Sequence, residues 1–242
     1  MDLNINYKKG SNFMIYTEKS YMHQMSRFMS KVYGLMSGAL LLSGAVAYYC
    51  SQSLEFISYM KSSPLALLFL FVAQIGLVIA IAGFLNRISA AVALGLFILY
   101  AVLTGVTLSS IFLLYTASSI FSTFIVTAAM FSSMAIYGYF TMADLSGMGS
   151  LLLMGLIGMI LTSIVNMFMQ SPTLSYFISG AGVILFTLLI AYDVQKLKMF
   201  GQYAMQDEQA GKKFVIFGAL TLYLDFINLF LNLLQFMGRK KD

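Results

Sequence analysis

Two aspartates lie within long apolar stretches of this sequence. Of its nine acidic residues, only Asp193 and Asp225 fall in segments long enough to cross a membrane. A charge in the bilayer core costs at least about 2.5–3.5 kcal/mol, so an ionisable residue there is a functional candidate. Two neighbouring carboxyl groups in a low dielectric titrate as a coupled pair, which provides a pH sensor. Their oxygens also suit calcium, although two carboxyl groups alone would bind the ion weakly and transiently.

A polar stripe surrounds the second aspartate. Its members follow one another at intervals of four, three, four and three residues, so all of them lie on one helix face. They are Thr221, Asp225, Asn228, Asn232 and Gln235. Such a stripe on an otherwise apolar helix should face protein or water rather than lipid. Interhelical hydrogen bonds, worth roughly 0.6 kcal/mol each, are the alternative explanation for the amides.

A basic residue follows the second apolar segment. If the second and sixth segments both run from the outside inward, Arg87 and Asp193 lie at similar depth near the cytoplasmic side. An arginine–carboxylate pair at that depth would hold two helices together. Arg87 could equally be an anchor at the membrane interface, and the sequence leaves both interpretations open.

The composition requires lipid to be part of the solvent. Hydrophobic residues make up 60% of the 242 residues and charged residues 10%, whereas soluble domains carry about 25% charged residues. Membrane topology explains the net charge of +5 better than nucleic-acid binding does. The single cysteine and single histidine exclude an intrachain disulfide and a Cys/His metal or haem site. An intramembrane serine protease would need a membrane-embedded histidine, so no enzyme and no cofactor is predicted.

Seven apolar stretches reach the roughly 20 residues that a membrane-spanning helix needs. They predict an all-α polytopic membrane protein with seven transmembrane helices, the polar-striped last helix lying at the centre. The approximate spans are 32–50, 64–85, 90–115, 120–140, 150–169, 174–192 and 214–237. The sixth is expected to continue past residue 192, and one long internal connection is predicted from Val194 to Lys213. Residues 1–30 are predicted to be a polar cytoplasmic tail, 31–238 the transmembrane domain and 239–242 a short basic tail.

The distribution of basic residues predicts a cytoplasmic N-terminus. With that orientation ten Lys and Arg residues face the cytoplasm and four face outward, in agreement with the positive-inside rule. The ten are Lys8, Lys9, Lys19, Arg27, Lys31, Arg87, Lys196, Lys198, Lys212 and Lys213, and the four are Lys61, Arg239, Lys240 and Lys241. Seven spans place the basic C-terminal tail outside, against the rule, so either the rule is overridden there or one segment does not cross fully.

Four segments resemble the Bax inhibitor-1 family in the order in which that family has them. The stretch Tyr223–Leu234, YLDFINLFLNLL, resembles the signature of the family's final helix. The other three resemble the end of its sixth helix, the loop before its fifth helix and its third helix. They are Ala191-Tyr192-Asp193 followed by Gln195-Lys196, Asp144–Gly149 (DLSGMG) and Leu108–Phe112 (LSSIF).

This resemblance implies a pH-sensitive calcium-leak protein whose last helix is wrapped by the other six. It implies that Asp193 and Asp225 form the pH-sensitive latch and that an arginine of the second helix bonds it, with Arg87 the candidate by position. Calcium would be the permeant ion, and the bilayer, protons and other membrane proteins the partners. A proton-coupled transporter and a regulatory partner in stress or cell death, without intrinsic flux, are the alternatives. A bacterial inner membrane is the expected location.

The orientation can be tested by cysteine labelling in a Cys50→Ala background. We expect cysteines introduced between residues 51 and 63 to react with an impermeant thiol reagent from outside. Cysteines introduced between residues 194 and 213 should react only after the membrane is permeabilised. Labelling of both segments from the same side would contradict the predicted topology.

Overall fold

Seven long helices make up most of the protein. The computed structural model describes the backbone of residues 3–53, 55–56, 58, 62–204 and 207–241, without the side chains of residues 3–20, 64 and 67. Lys61, residue 242 and the side chains of Lys8, Lys9 and Lys19 therefore lie outside the described part. The helices are α1 (Leu3–Ser51), α2 (Pro64–Phe84), α3 (Ala90–Leu108), α4 (Ala117–Phe140), α5 (Gly149–Met169), α6 (Pro172–Ala204) and α7 (Glu208–Met237).

The predicted all-α membrane architecture is confirmed. Among the described residues, six segments are long and apolar enough to cross a membrane, and the apolar part of α2, Leu68–Phe84, is shorter. Large apolar side chains cover the outside of the bundle. Phe69 on α2 and Leu151 and Phe168 on α5 are examples of exposed residues that lipid would cover. Because a bilayer solvates apolar surface and not backbone, a bundle of complete helices suits it.

The last helix lies at the centre of the bundle. α7 packs against α1, α3, α4 and α6, whereas α2 packs mainly on α3 and α5 mainly on α6. The buried residues of α7 lie on almost every side of it, from Ile216 to Leu234. The expected central position is therefore confirmed, but α2 and α5 form an outer layer instead of joining a complete ring around α7.

The predicted connection between the sixth and seventh helices was wrong, and the first helix is longer than predicted. α6 continues to Ala204 and α7 begins at Glu208, so only three residues separate the helices where the sequence predicted a connection from Val194 to Lys213. The extension is stable because Val194, Leu197 and Gly201 continue its buried face at helical spacing. The first helix also begins well before the predicted span, at Leu3, and Met25, Phe28 and Met29 are buried in the core.

The third crossing is interrupted near its outer end. α3 ends at Leu108, and one further helical turn, Ile111–Leu114, completes the crossing. The hydroxyl groups of Ser109 and Ser110 donate to carbonyl oxygens three residues earlier, which competes with regular helical bonding. The C-terminal tail then folds back onto this end, where Lys240 pairs with Tyr115 in an antiparallel bridge.

One glycine sets the distance between α4 and α6. A Cβ at Gly138 would lie 2.8 Å from the Cα of Ala191 and closer still to its carbonyl oxygen. Both are backbone atoms, so no side-chain rotation can make room. Close approach at small residues is a common way in which membrane helices pack.

We therefore expect Gly138→Ala to lower the thermal unfolding midpoint in detergent, at a cost of about 1–3 kcal/mol from overpacking. Gly95→Ala on α3 is the matched control, because nothing lies within 4 Å of its added methyl group. That change should be neutral or stabilising by up to about 1 kcal/mol through helix propensity. Equal effects of the two substitutions would contradict the assigned contact.

Candidate functional site

The site is built on the seam between α6 and α7. On α6, a buried face runs along the whole helix at intervals of three and four residues, and α7 lies against it. Its members are Ser179, Gly182, Phe186, Ile190, Val194, Leu197 and Gly201. Asp193 lies beside this face and is half-buried, whereas Asp225 on α7 is only 5% exposed.

The two aspartates meet across the seam. Their carboxyl groups lie close enough to interact with each other. The buried Oδ2 atom of Asp225 accepts no hydrogen bond from an N–H or O–H donor of the described residues. Ionised carboxylates are acceptors only, so a hydrogen bond between two of them requires one proton on the pair.

A small cavity adjoins Asp193 toward the end of the bundle that the sequence analysis predicts to be cytoplasmic. It has a volume of about 120 Å³, and Asp193, Lys196 and Thr221 contribute polar groups to its lining. That volume is sufficient for several water molecules, which could exchange protons with the pair. Lys196 interacts electrostatically with Asp193 and lies 5.6 Å from the ring centre of Tyr192.

The polar stripe of α7 satisfies its donors within the helix. The hydroxyl of Thr221 donates to the carbonyl oxygen of Phe217, and the side-chain amides of Asn228 and Asn232 donate to carbonyl oxygens four residues earlier, at 2.7–3.0 Å. These N–H groups therefore do not form the interhelical hydrogen bonds that were the alternative explanation for the amides. Their amide oxygens remain free to accept, and that of Asn232 lies directly against Gly182.

The outer end of the stripe reaches a second, larger pocket. Gln235 is exposed and lines a pocket of about 540 Å³ together with Asn166, Gln170, Ser175 and Lys240. Asn166 donates to the hydroxyl of Ser175 at 2.7 Å. The stripe therefore connects a polar outer pocket with the inner cavity beside Asp193. Fourteen residues separate Gln235 from Thr221, a rise of about 21 Å along the helix.

Two sequence motifs that were noted separately come together at the inner end of α6. Gln195 accepts a hydrogen bond from the N–H of Leu145 and donates to the carbonyl oxygen of Ala143, both at 2.8 Å. A Cβ at Gly149 would lie 2.6 Å from the hydroxyl oxygen of Tyr192. The loop before α5 is thus fixed to the helical turn that carries Asp193.

Sequence reasoning missed a hydrogen bond on the opposite side of α7. Tyr223 is fully buried and its hydroxyl lies 2.7 Å from that of Ser43, which donates to the carbonyl oxygen of Ala101. The ring of Tyr223 also packs edge-on against those of Phe97 and Tyr100. These contacts fix α7 to α1 and α3. The one sequence signal for these contacts is the presence of a tyrosine within an apolar helix.

The structure does not bring Arg87 to the aspartates. Arg87 is exposed in the connection between α2 and α3, and its backbone N–H donates to the carbonyl oxygen of Phe84. No ion pair between Arg87 and either aspartate occurs in the described part of the chain. Arg87 and Asp193 were predicted to lie at similar depth, but α2 packs on α3 and lies away from α6, so the two residues do not meet. Lys196 is the cation that lies near Asp193.

Comparison with known proteins decides the family. Residues 25–242 match the family described as inhibitor of apoptosis-promoting Bax1. The chain belongs to the Bax inhibitor-1 family. It is 47% identical over 218 residues to the inner membrane protein YbhL of Escherichia coli K12, covering 90% of this chain and 93% of that protein. An uncharacterized protein of Borreliella burgdorferi is 45% identical over 225 residues, covering 93% and 97% of the two chains.

A third relative, an uncharacterized protein of Rickettsia prowazekii, is 42% identical over 224 residues, with 93% of this chain and 94% of that one covered. The resemblance inferred from four short segments thus extends over almost the whole transmembrane domain. The protein is an integral membrane protein of the bacterial inner-membrane type, as expected from its sequence.

The positions of Lys196 and Arg87 lead to a paired prediction for the calcium flux that the family resemblance implies. We expect Lys196→Gln to move the pH midpoint of flux in proteoliposomes by about half to one unit toward higher pH. The reason is that losing the nearby cation disfavours ionisation of the pair. Arg87→Gln should leave the midpoint unchanged. A shift of the midpoint with Arg87→Gln and none with Lys196→Gln would instead support the hypothesis that Arg87 bonds the aspartate latch.

Proposed function

We propose that this protein is a pH-sensitive calcium-leak protein in which Asp193 and Asp225 form the latch. The observation that supports the proposal is the proximity of the two carboxyl groups on the seam between α6 and the central helix α7. Asp225 belongs to the polar stripe of α7, which also carries the amides of Asn228 and Asn232. Proton binding to the pair would therefore act on the contact between two helices.

The closed state that we propose has a packed segment between two polar spaces. The outer pocket contains Gln235, and the inner cavity contains Asp193 and Thr221. Between them Asn232 packs against Gly182, and Phe186, Ile190 and Leu229 are buried in the same region of the core. A hydrated cation cannot pass through such packing. Opening therefore requires α6 and α7 to move apart.

A change in the number of protons on the pair provides the force for that movement. Loss of the shared proton leaves two like charges, whose repulsion at a separation of 4 Å is about 4 kcal/mol for an effective dielectric constant of 20. Gain of a second proton replaces a charge-assisted hydrogen bond with a neutral one of roughly half the strength. A bistable element needs a bias of only a few kcal/mol, so either change would weaken the closed state.

Calcium fits this pathway as a permeant ion rather than a resident one. The ion prefers about six to eight oxygen ligands, among them carboxylates and amide carbonyl groups. Asp193 and Asp225 supply carboxylate oxygens, and Asn228 and Asn232 retain their amide oxygens. This is fewer than a storage site needs, and water would complete the shell. Weak binding of this kind permits the ion to leave as well as to enter.

Another carboxyl group near the inner end of α6 is unsuited to the sensing role. Asp144 is exposed in the loop before α5, and hydrogen bonds from the side chain and the N–H of Ser146 hold its pKa below the usual range. Asp144 therefore stays ionised throughout the neutral pH range. Its substitution offers a matched control for changes at the pair.

We expect the double variant Asp193→Asn, Asp225→Asn to lose the pH dependence of calcium flux, because the amides keep the shape of the pair and do not titrate. The measurement is calcium entry into dye-loaded proteoliposomes across a series of pH values, equal on both sides of the membrane. Asp144→Asn should retain the wild-type profile.

An unaltered profile in the folded double variant would mean that the sensor lies elsewhere. Calcium flux that appears only with a pH gradient would identify a proton-coupled transporter instead. Absence of flux at every pH in the wild-type protein would leave a regulatory partner of other membrane proteins as the function.

A further inference from the structure

A third pocket lies at the end of the bundle where α6 ends and α7 begins. It has a volume of about 660 Å³ and lies between α1, the beginning of α3, the end of α6 and the beginning of α7. This size is within the range of ligand sites, roughly 300–1,000 Å³. The proposed leak mechanism makes no use of it.

Its charge is strongly unbalanced. Arg27, Lys31 and Lys212 line the pocket, and Glu208 is the one acidic residue among its lining residues. Glu208 pairs with Lys212 at 2.9 Å, but the two side chains are 85% and 54% exposed. An ion pair so exposed to solvent contributes little and can exchange partners easily. Three cations against one carboxylate leave an excess of two positive charges for an anionic group.

The pocket is amphipathic along the membrane normal. α1, α3 and α7 all run outward from this end, so residues of higher number lie deeper in the membrane. Leu35 lies one turn deeper than Lys31, and Ile216 lies one turn deeper than Lys212, with Leu94 of α3 beside them. One helical turn corresponds to about 5–6 Å of depth. Cationic groups therefore surround the rim, and aliphatic side chains form the floor beneath it.

We propose that this pocket binds an anionic phospholipid of the leaflet that it faces. The phosphate would lie among Arg27, Lys31 and Lys212, and the glycerol backbone and the first methylene groups would lie against Leu35, Leu94 and Ile216. Basic pockets between transmembrane helices at the cytoplasmic surface recognise lipid headgroups in this way. A free phosphate would use the rim and leave the apolar floor uncovered, which is why a lipid is the better occupant.

Occupancy would join four helices at one end of the bundle. The pocket is lined by Gly201 and Ala204 at the end of α6, by Gly211 at the beginning of α7 and by the first turns of α3. A bound lipid would therefore contact the inner ends of both helices of the seam without touching Asp193 or Asp225. The binding itself does not depend on the leak proposal and can be tested in the absence of any flux.

The test compares two lipids with the same acyl chains, dioleoyl phosphatidylglycerol and dioleoyl phosphatidylcholine. Binding of each to the purified full-length protein is measured by native mass spectrometry in detergent. We expect phosphatidylglycerol to bind more tightly. The double variant Arg27→Gln, Lys31→Gln should lower its affinity by about 25-fold, at about fivefold for each charge removed. Lys212→Gln alone should lower it about fivefold.

Two further variants separate a specific site from a general charge effect. Arg239→Gln with Lys241→Gln removes the same charge from the opposite end of the molecule and should leave binding unchanged. Glu208→Gln removes the one carboxylate and should raise the affinity about fivefold, a gain that damage to the fold cannot produce. Unfolding midpoints of all variants establish that each is folded.

Equal binding of the two lipids would overturn the proposal, as would wild-type affinity in the Arg27/Lys31 variant or a loss of affinity in Glu208→Gln. Inorganic phosphate provides the last arm of the experiment. If millimolar phosphate displaces phosphatidylglycerol completely, the rim is a general anion site and the assignment to lipid is wrong. Retention of the lipid in that competition supports it.

Discussion

Two carboxyl groups can lie close together inside a membrane only if something removes the repulsion between them, and we propose that here it is a shared proton. Asp193 and Asp225 lie close together on the seam, and Oδ2 of Asp225 has no hydrogen-bond donor in the described structure. The two carboxyl groups lie on helices that pack against each other along their length. The number of protons on the pair therefore affects the most extensive helix contact in the described structure. Central position and titratable chemistry thus coincide on α7.

The surrounding structure restricts how that contact can change. On one side, Tyr223 with Ser43 fixes α7 to α1 and α3. On the other, Gln195 fixes the inner end of α6 to the loop before α5, and the near-contact of Gly138 with Ala191 fixes α6 to α4. Each of the two helices that form the seam is therefore also bound to other parts of the bundle. In the mechanism that we propose, the bias acts on the contact between α6 and α7.

The parts of this structure that follow from periodicity could be predicted from sequence. Apolar length predicts the seven helices, and the four-three spacing of Thr221 to Gln235 predicts one polar face with Asp225 on it. The pairing of Asp193 with Asp225 follows from their being the only acidic residues in the predicted spans and from the family resemblance, and it stays a prediction. Contacts that depend on helix order around α7 could not be predicted in this way. Arg87 has the right depth but lies on a helix of the outer layer.

Local composition also misled the prediction of one connection. The segment from Val194 to Lys213 is rich in charged and polar residues, which is typical of a loop, and yet most of it is helical. Val194, Leu197 and Gly201 continue the buried face and outweigh the polar residues between them. Tyr223 could not be singled out either, because its partner Ser43 is 180 residues away in sequence. Distant pairings of this kind are settled by packing and not by local pattern.

The shared proton is the claim on which the account depends, and infrared difference spectroscopy detects it directly. At the pH of lowest calcium flux, the purified protein should have a carbonyl stretch of a protonated carboxyl group. That band should be altered in Asp193→Asn and in Asp225→Asn, and absent when both are replaced. Persistence of the same band in the double variant, or its absence from the wild-type protein at that pH, would contradict the account.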